Sequence, residues 1–381
     1  MTAIVFLNPI DLILRITMKR GVYNFFGGMA IYPPRVIEEV RRDLLEYENT
    51  GLSIFEMSHR SQTFRNIIDK AEENLRQLMN ISDNYHVLFL QGGENLQFSM
   101  IPINFLRDKN RPANYIVTGY WSEKAIKDAR REGQVNIIWD GRDEGFTRVP
   151  KQNELQFDSD AAYVYYTTNE TVEGIQFPMI PDVGDIPLVC DMCSDFISKP
   201  IDVTKYALIS AHAQKNAGIA GVTIVIIRDD FLQDIPDNIH TMLDYRPHVE
   251  KSSIYNTSPT FAIYTVMLMT RWLIEDIGGL ENMNKLAQQR SDIIYELLDK
   301  NAGFYKPHAK PDSRSLINIV FNLPTAELTQ KFIAEGAEEG LVGLQGHRSL
   351  GGIRASFFNP MPMEGVHALR DFMLRFHEKY R

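Results

Sequence analysis

The feature that most constrains the fold is a series of short apolar segments, rich in β-branched residues, between residues 86 and 227. Most of them are separated by longer stretches, and residues 122–131 have clear helical spacing. Parallel strands need crossover connections of this kind, whereas antiparallel neighbours can be joined by a tight turn. The pattern predicts an α/β domain with a mostly parallel sheet. Its expected strands are residues 86–90, 115–118, 135–139, 162–166, 188–190, 207–209 and 221–227.

The character of the chain changes after Pro259, where helical spacing dominates and only short strands interrupt it. This mixture is typical of a smaller α+β domain. A chain of 381 residues with 44% hydrophobic content can bury two cores. The expected helices are 34–48, 61–79, 261–276, 280–301, 325–340 and 362–380, and the expected late strands are 315–321 and 354–358. We therefore expect an N-terminal arm at 18–33, a large domain at 34–277 and a small C-terminal domain at 278–381.

Residues 1–17 are apolar and unlike the sequence that follows. They lack the basic region and the small-residue cleavage site of a signal peptide, and the apolar run is too short and interrupted to cross a membrane. Met18 begins a stretch that we interpret as a second possible start of the protein chain. We expect residues 1–17 to be an N-terminal extension that is dispensable for activity.

Net charge and cysteine content limit the partners and the compartment. A formal charge of −9 argues against a nucleic-acid or anionic-membrane partner, because an acidic surface gains nothing from either. Two cysteines cannot form a disulfide framework, so a reducing, cytoplasmic location is expected. Cys190 and Cys193 have CxxC spacing, but no second pair completes a zinc site and no helix begins there. We interpret them as small residues beside Asp191 rather than as a metal or redox centre.

The segment 209–221 is small and glycine-punctuated, lies between two expected strands, and carries Lys215. A lysine at the mouth of a sheet can be buried, which lowers its pKa and leaves the amine nucleophilic. A surface lysine in a turn is the alternative. Asp191, at the end of the apolar run 186–191, favours the first interpretation. A Schiff-base lysine and an acidic residue that pairs with a pyridinium nitrogen are the two protein groups that pyridoxal 5′-phosphate requires.

Two further features fall at the ends of expected strands. Gly92 and Gly93 turn a strand into a helix, and the free amides and the dipole of a helix N-terminus attract anions. In open α/β sheets ligands bind at the carboxyl ends of strands, where Lys215 and Asp191 also fall. Trp121 follows another strand end, so its ring can lie on a planar cofactor, although a core position is the alternative.

Two His-Arg pairs, His59-Arg60 and His347-Arg348, and Arg354 behind two glycines complete the set of candidates. The planar fork of arginine matches carboxylates and phosphates, and a dianionic substrate needs several such donors. A single arginine is more often part of a surface ion pair. Three of them in glycine-adjacent, apolar surroundings favour an anion site.

With these motifs in place, the sequence resembles the phosphoserine aminotransferases, class V, fold-type I pyridoxal phosphate enzymes of serine biosynthesis. The resemblance runs from about Tyr23 to the C-terminus. It implies a large domain with a mostly parallel sheet and a smaller α+β C-terminal domain. The stretches that carry it are Met57-Ser-His-Arg-Ser61, Thr118-Gly-Tyr-Trp-Ser-Glu-Lys-Ala125, Asn169-Glu-Thr171, Ala213-Gln-Lys-Asn216, Tyr255-Asn-Thr-Ser-Pro-Thr-Phe261, Gly346-His-Arg348 and Gly352-Ile-Arg-Ala-Ser356.

The resemblance implies roles around the cofactor. Lys215 would form the Schiff base, Asp191 would pair with the pyridine nitrogen and Trp121 would stack on the ring. Thr171 would bond the ring hydroxyl. The cofactor phosphate would be bound by Gly93, Glu94, Asn95 and Gln214 and, from a neighbouring subunit, by Asn256 and Thr257, so that the enzyme would be a homodimer with sites at the interface.

For the substrate, the resemblance implies that Arg354 takes the α-carboxylate. The distal phosphate or carboxylate would be held by His59, Arg60, His347 and Arg348. The implied reaction is reversible amino transfer between L-glutamate and 3-phosphohydroxypyruvate.

The sequence departs from the family pattern at the cofactor and the substrate. Glu94-Asn95 replaces small or basic residues, and a carboxylate about 4 Å from a phosphate charge would cost on the order of 4 kcal/mol. We therefore expect the Glu94 side chain to point away while its amide binds. Residues 24–29 lack the serine and the proline of the family's Asn-Phe-Ser-x-Gly-Pro pattern, and His212 replaces a usual glycine. Two alternatives to a phosphoserine aminotransferase therefore stay open, a paralogue of altered substrate specificity and a non-catalytic relative. The presence of Lys215 and Asp191 argues against the non-catalytic relative.

Overall fold

The computed structural model describes residues 21–381. The expectation for residues 1–17, and the start of the arm at Met18, lie outside the described residues. Within residues 21–381, no helix is both long enough and apolar enough to cross a membrane.

The central sheet has seven strands. They are β2 (Tyr85–Leu90), β3 (Ala113–Val117), β4 (Val135–Asp140), β5 (Val164–Thr167), β8 (Leu188–Asp191), β9 (Leu208–His212) and β10 (Thr223–Arg228). Between β5 and β8 lies a small hairpin of β6 (Asn169–Glu170) and β7 (Ile175–Gln176). The expected strands are confirmed with shifts of one to three residues at their ends.

The strand order across this sheet is β2, β10, β9, β8, β5, β3, β4. All neighbours from β9 to β4 are parallel, which confirms the predicted mostly parallel sheet. Strand β10 runs antiparallel to both β2 and β9. The reason is the short connection at 213–222, which is too short for a crossover to a parallel neighbour. This is the connection that carries Lys215.

Helices cover both faces of the sheet, and a strand such as β10 is apolar on both sides for that reason. Ile224 and Ile226 belong to one buried cluster, and Val225 and Ile227 belong to the other. The helices in this part of the chain are α1 (Pro34–Asp43), α2 (Gln62–Met79), α3 (Gly93–Phe105), α4 (Tyr120–Glu132), α5 (Tyr245–Glu250) and α6 (Thr260–Trp272).

Two expected helices have different ends. Helix α1 stops at Asp43 rather than at residue 48, and Glu48 and Asn49 have positive φ values of 45° and 58°, where a right-handed helix cannot continue. The expected helix at 261–276 is helix α6 followed by one π-helical turn, Leu273–Ile277, which ends at Gly278 in the left-handed region.

The C-terminal part is α+β, as predicted. Its antiparallel sheet has the order β11 (Lys306–Pro307), β12 (Asn318–Asn322), β14 (Ile353–Ser356), and its helices are α7 (Leu280–Lys300), α8 (Ala326–Glu338) and α9 (Met363–Tyr380). Strand β12 begins three residues later than expected because the Ser315 hydroxyl accepts from the backbone N–H groups of Ile317 and Asn318 in a tight turn.

The N-terminal arm is fastened to this C-terminal part. Strand β1 (Tyr23–Asn24) pairs in parallel with β13 (Leu341–Val342). Phe25 is fully buried in the apolar cluster of the C-terminal part, and its ring meets Phe357 edge-on. The arm thereby brings residues 27–28 to the carboxyl edge of the central sheet.

Candidate active site

A cavity of about 500 Å³ lies at the carboxyl ends of the parallel strands, where the fold class places ligands. It is lined by residues from the arm, the turn after β2, the start of α4, the end of β8 and the β9–β10 connection. These are Gly27, Gly28, Gly92, Gly93, Glu94, Asn95, Trp121, Asp191, Cys193, His212, Gln214, Lys215 and Gly221. Seven residues expected from the sequence to contact the cofactor therefore lie together.

Lys215 lies on the wall of this cavity and is only 6% exposed. Its Nζ donates to the hydroxyl of Thr171 (2.7 Å) and to that of Ser194 (3.2 Å). The ring centroid of Trp121 is 5.8 Å from the amine. Thr171, which the resemblance places at the cofactor ring hydroxyl, is a neighbour of the amine in this structure. Ser194 was not anticipated from the sequence. A buried amine that is positioned by hydrogen bonds to two hydroxyls is suited to act as a nucleophile.

Asp191 is the last residue of β8 and is buried. Its Oδ1 accepts from the backbone N–H of Cys193 (2.8 Å). Burial raises the pKa of this carboxyl, and the Cys193 N–H and the charge of Lys215 partly oppose that shift. A buried carboxylate of this kind is set up to receive a cationic partner.

The glycine turn has the conformation that an anion cradle needs. Gly92 and Gly93 have φ values of 96° and 69°, a region that favours glycine. A Cβ on Gly92 would also lie 2.4 Å from a methyl carbon of Leu96. Helix α3 starts at Gly93, so the first amides of the helix have no intrahelical acceptor.

Two buried polar atoms on the cavity wall have no protein partner within the described residues, Trp121 Nε1 and Gln214 Oε1. Buried polar atoms in native proteins are normally paired, so a polar ligand is expected to satisfy them. Together with the amine, the carboxylate and the amide cradle, they fit a planar, cationic heteroaromatic ring that carries an anionic group. Pyridoxal phosphate has these properties.

The Glu94 carboxyl is bound by two side chains inside the protein. It turns into the protein, where Oε1 accepts from the Ser210 hydroxyl (2.5 Å) and Oε2 from the Cys193 thiol (3.3 Å). These partners hold the carboxyl next to Asp191. A carboxylate oxygen of Glu94, one of Asp191 and the Sγ of Cys193 all lie within 4.8 Å of one another. Burial first, and then the charge of Asp191, raises the pKa of Glu94 well above its ordinary value. No local pattern in the sequence indicates that Glu94 and Asp191 are neighbours.

Replacing Glu94 with glutamine tests the state of this carboxyl. A carboxyl whose pKa is raised by folding adds stability below its unfolded pKa, near 4.3, and loses it as the pH rises. We expect Glu94→Gln and the wild type to have the same melting temperature at pH 4. At pH 8 the melting temperature of Glu94→Gln should be higher by roughly 1–3 °C. Thermal unfolding of the cofactor-free protein across this range is the measurement. A lower melting temperature at pH 8 would contradict the assignment.

The helix that presents Trp121 is fixed by two buried carboxylates that sequence reasoning missed. Glu170 accepts from the backbone N–H groups of Trp121 and Ser122, both at 3.0 Å, and Glu173 accepts from that of Tyr120 (3.1 Å). Acidic groups at a helix N-terminus are favourable because they meet the free amides and the helix dipole. Burial still raises the pKa of Glu170 to about 7. The Asn169-Glu-Thr171 stretch was the available signal.

Arg354 is half-buried and lies between the arm and the Lys215 site. Its Nη1 donates to the backbone carbonyl of Thr171 (3.4 Å), and its Nε has no partner within the described residues. A Cβ on Gly27 would lie 2.4 Å from the guanidinium carbon. The guanidinium therefore occupies the space that only a glycine leaves free. The ring of His347 packs against that of Tyr120 at a tilt of 56°, with centroids 4.9 Å apart, and Arg348 is exposed.

Besides Thr171, Arg354, His347 and Arg348, four more of the expected site residues do not line the cavity. His59 and Arg60 follow the short 3₁₀ turn Ile54–Glu56, and Arg60 is exposed. Asn256 donates to the side-chain oxygen of Gln91 (2.7 Å), and Thr257 is exposed. Within the single chain described, these residues do not complete the site.

Residues 22–369 match the family described as aminotransferase class-V, so the chain belongs to this family and is an aminotransferase. It is 47% identical over 359 residues to the phosphoserine aminotransferase of Rhodopirellula baltica, covering 94% of this chain and 96% of that protein. It is 46% identical to the phosphoserine aminotransferase of Geobacillus kaustophilus, covering 95% and 100%. The chain is a member of the phosphoserine aminotransferase family.

Solved structures agree with this assignment. Phosphoserine aminotransferase from Bacillus circulans subsp. alkalophilus superposes with a TM-score of 0.92 at 41% identity, covering 94% of this chain and 99% of that one. The enzyme from Trichomonas vaginalis, solved with pyridoxal phosphate bound, has a TM-score of 0.88 at 37% identity and covers 93% and 99%. The predicted fold-type I architecture is confirmed.

Proposed function

We propose that this chain catalyses the pyridoxal-phosphate-dependent transfer of an amino group between L-glutamate and 3-phosphohydroxypyruvate, giving O-phospho-L-serine and 2-oxoglutarate for serine biosynthesis. The observation that carries the proposal is the arrangement of Lys215, Thr171 and Asp191 at one cavity with the glycine turn. The near-full-length similarity to phosphoserine aminotransferases supports the choice of substrates.

The residues of this chain divide the work. When bound, pyridoxal phosphate supplies an electron sink for the bonds at the substrate Cα. Asp191 would pair with the ring nitrogen and favour its protonated form, since an opposite charge favours the cation. Trp121 would cover the ring face, and Thr171 would donate to the ring hydroxyl oxygen. Lys215 would hold the cofactor, and its Nζ would accept the substrate Cα proton and later return it.

Further residues bind the charged ends of the ligands. The first amides of α3, at Gly93, Glu94 and Asn95, and Gln214 hold the cofactor phosphate. Arg354 takes the α-carboxylate of the substrate through its guanidinium fork. The distal phosphate or carboxylate is bound by His59, Arg60, His347 and Arg348.

The proposal includes a homodimer in the cytoplasm. His59, Arg60, Asn256 and Thr257 stay outside the cavity of their own chain, which supports a site completed by a neighbouring subunit. Two free, buried cysteines suit a reducing compartment. We also propose that the large domain ends at residue 277 and that the small domain begins at residue 278.

Turnover with L-glutamate as the amino donor tests the function. 3-Phosphohydroxypyruvate should react with a kcat/KM far above that of hydroxypyruvate, because a site built for a dianion leaves its arginines unpaired when the phosphate is missing. Equal rates on both would contradict a phosphate site and point to the paralogue of altered specificity. Absence of any turnover in protein that holds the cofactor would support the non-catalytic reading.

Gly27→Ala should weaken substrate binding without affecting the cofactor. The new Cβ displaces the Arg354 guanidinium, and losing a charge-assisted hydrogen bond of about 1.5–3 kcal/mol raises KM by roughly tenfold to a hundredfold. Steady-state kinetics with L-glutamate measure this effect. Gly21→Ala is the matched control, because a Cβ there meets no atom within 4 Å. An unchanged KM in Gly27→Ala would remove Arg354 from the carboxylate site.

A further inference from the structure

We propose that His212 is a further ligand of the cofactor phosphate, donating from its Nδ1–H beside the amides of the glycine turn. The inference rests on the cofactor and the site proposed above. It gives a role to a residue at which the resemblance to the family fails, because a glycine usually stands there. His212 is the last residue of β9 and lines the same cavity as Lys215.

The tautomer of the imidazole follows from its surroundings. The backbone N–H of Gly221 donates to His212 Nε2 (3.3 Å). A ring nitrogen that accepts a hydrogen bond carries no proton, so in the neutral ring the proton is on Nδ1. Burial first, and then the charge of Lys215, lowers the pKa of His212 to about 4, which keeps the ring neutral near pH 7.

The ring of His212 lies against the glycine turn, with its Nδ1–Cε1 bond nearest to Gly93. A Cβ built on Gly93 would lie 3.5 Å from both Cε1 and Nδ1 of His212, but 3.9 Å from Cγ. Within residues 21–381 no protein acceptor bonds Nδ1. The donor therefore lies beside the first residues of α3, in the same cavity, and is free to bind a ligand.

Charge at the turn explains why such a donor helps. The first turn of α3 carries Glu94, where the family has small or basic residues, and that side chain is committed to Ser210 and Cys193. It gives the phosphate no donor. A neutral imidazole N–H adds a donor to the cradle without placing a second cation beside Lys215. The chemical group recognised is a phosphate ester oxygen.

Binding of pyridoxal 5′-phosphate and of pyridoxal to cofactor-free protein tests the inference by titration. The two probes differ only in the phosphate, so the ratio of their dissociation constants isolates its contribution. His212→Ala should weaken pyridoxal phosphate by roughly tenfold to a hundredfold and leave pyridoxal unchanged. His212→Asn should restore binding to within a few-fold, because the amide nitrogen of asparagine occupies the position of Nδ1.

Three results would overturn the inference. His212→Ala could weaken both probes equally, which would indicate a disturbed cavity. It could leave both dissociation constants unchanged. His212→Asn could bind pyridoxal phosphate no better than His212→Ala. Failure of the wild-type chain to bind pyridoxal phosphate would instead overturn the proposed cofactor, so the two failures are distinguishable.

Discussion

Lys215→Ala is expected to abolish transamination, with kcat reduced by at least about a thousandfold. In the proposed mechanism the Nζ atom both holds the cofactor and moves the Cα proton, and a positioned acid–base group alone contributes roughly 10²–10⁴ in rate. The variant should keep its fold, because the amine bonds only Thr171 and Ser194 within the described residues. Steady-state turnover and the visible absorption of the reconstituted protein are the measurements.

Lys124→Ala is the matched control for this experiment. Lys124 also approaches the Trp121 ring, with Nζ 5.3 Å from the centroid, but it does not line the cavity. It should retain wild-type turnover and colour. Turnover of Lys215→Ala within tenfold of the wild type would show that another group moves the proton, and would remove the central element of the proposed mechanism.

Asp191→Asn is expected to lower kcat by on the order of a hundredfold to a thousandfold, since breaking a buried charge pair costs about 3–5 kcal/mol. In the proposed mechanism, the ring nitrogen of the cofactor would then lack the charge that favours its protonated form. The cofactor-free variant should be more stable than the wild type at neutral pH. Burial raises the pKa of Asp191, so its ionised form lowers stability above the ordinary aspartate pKa, near 3.9, and this penalty disappears below it.

Asp191→Asn is expected to lower kcat but to raise the stability of the cofactor-free protein, and this combination distinguishes a lost ring partner from misfolding. Lost activity caused by misfolding would come with a lower melting temperature, whereas loss of the ring partner comes with a higher one. Asp185→Asn is the control, because Asp185 is an exposed aspartate shortly before the same strand. A fall in both activity and stability of cofactor-free Asp191→Asn would contradict the assignment.

The periodicity of the sequence was enough to predict most of the fold. Strands such as β2 and β10 are continuous apolar runs because helices cover both of their faces, and this burial is visible in composition. The antiparallel direction of β10 was not predicted. Direction depends on how the chain can return, and the length of the 213–222 connection settles it only once both strand ends are known.

The candidate site was predicted in part. Lys215, Asp191 and the Gly92-Gly93 turn stand out because a reactive group or an unusual backbone at a strand end has a local signature. The position of the Glu94 carboxyl could not be predicted from the sequence. Its direction toward Ser210 and Cys193 is set by side chains that are distant in sequence and meet only across β8 and β9.

Residue chemistry and spacing along the chain alone determined the class of fold and singled out Lys215 and Asp191 as the candidate nucleophile and its acidic partner, since these depend on local patterns. Tertiary structure decided which side chains are neighbours. It placed Gly27 of the arm under Arg354, Glu94 beside Asp191 and the ring of His212 against the glycine turn. Such contacts arise where separate segments are packed together, and packing distances and burial are not encoded in any single stretch of sequence.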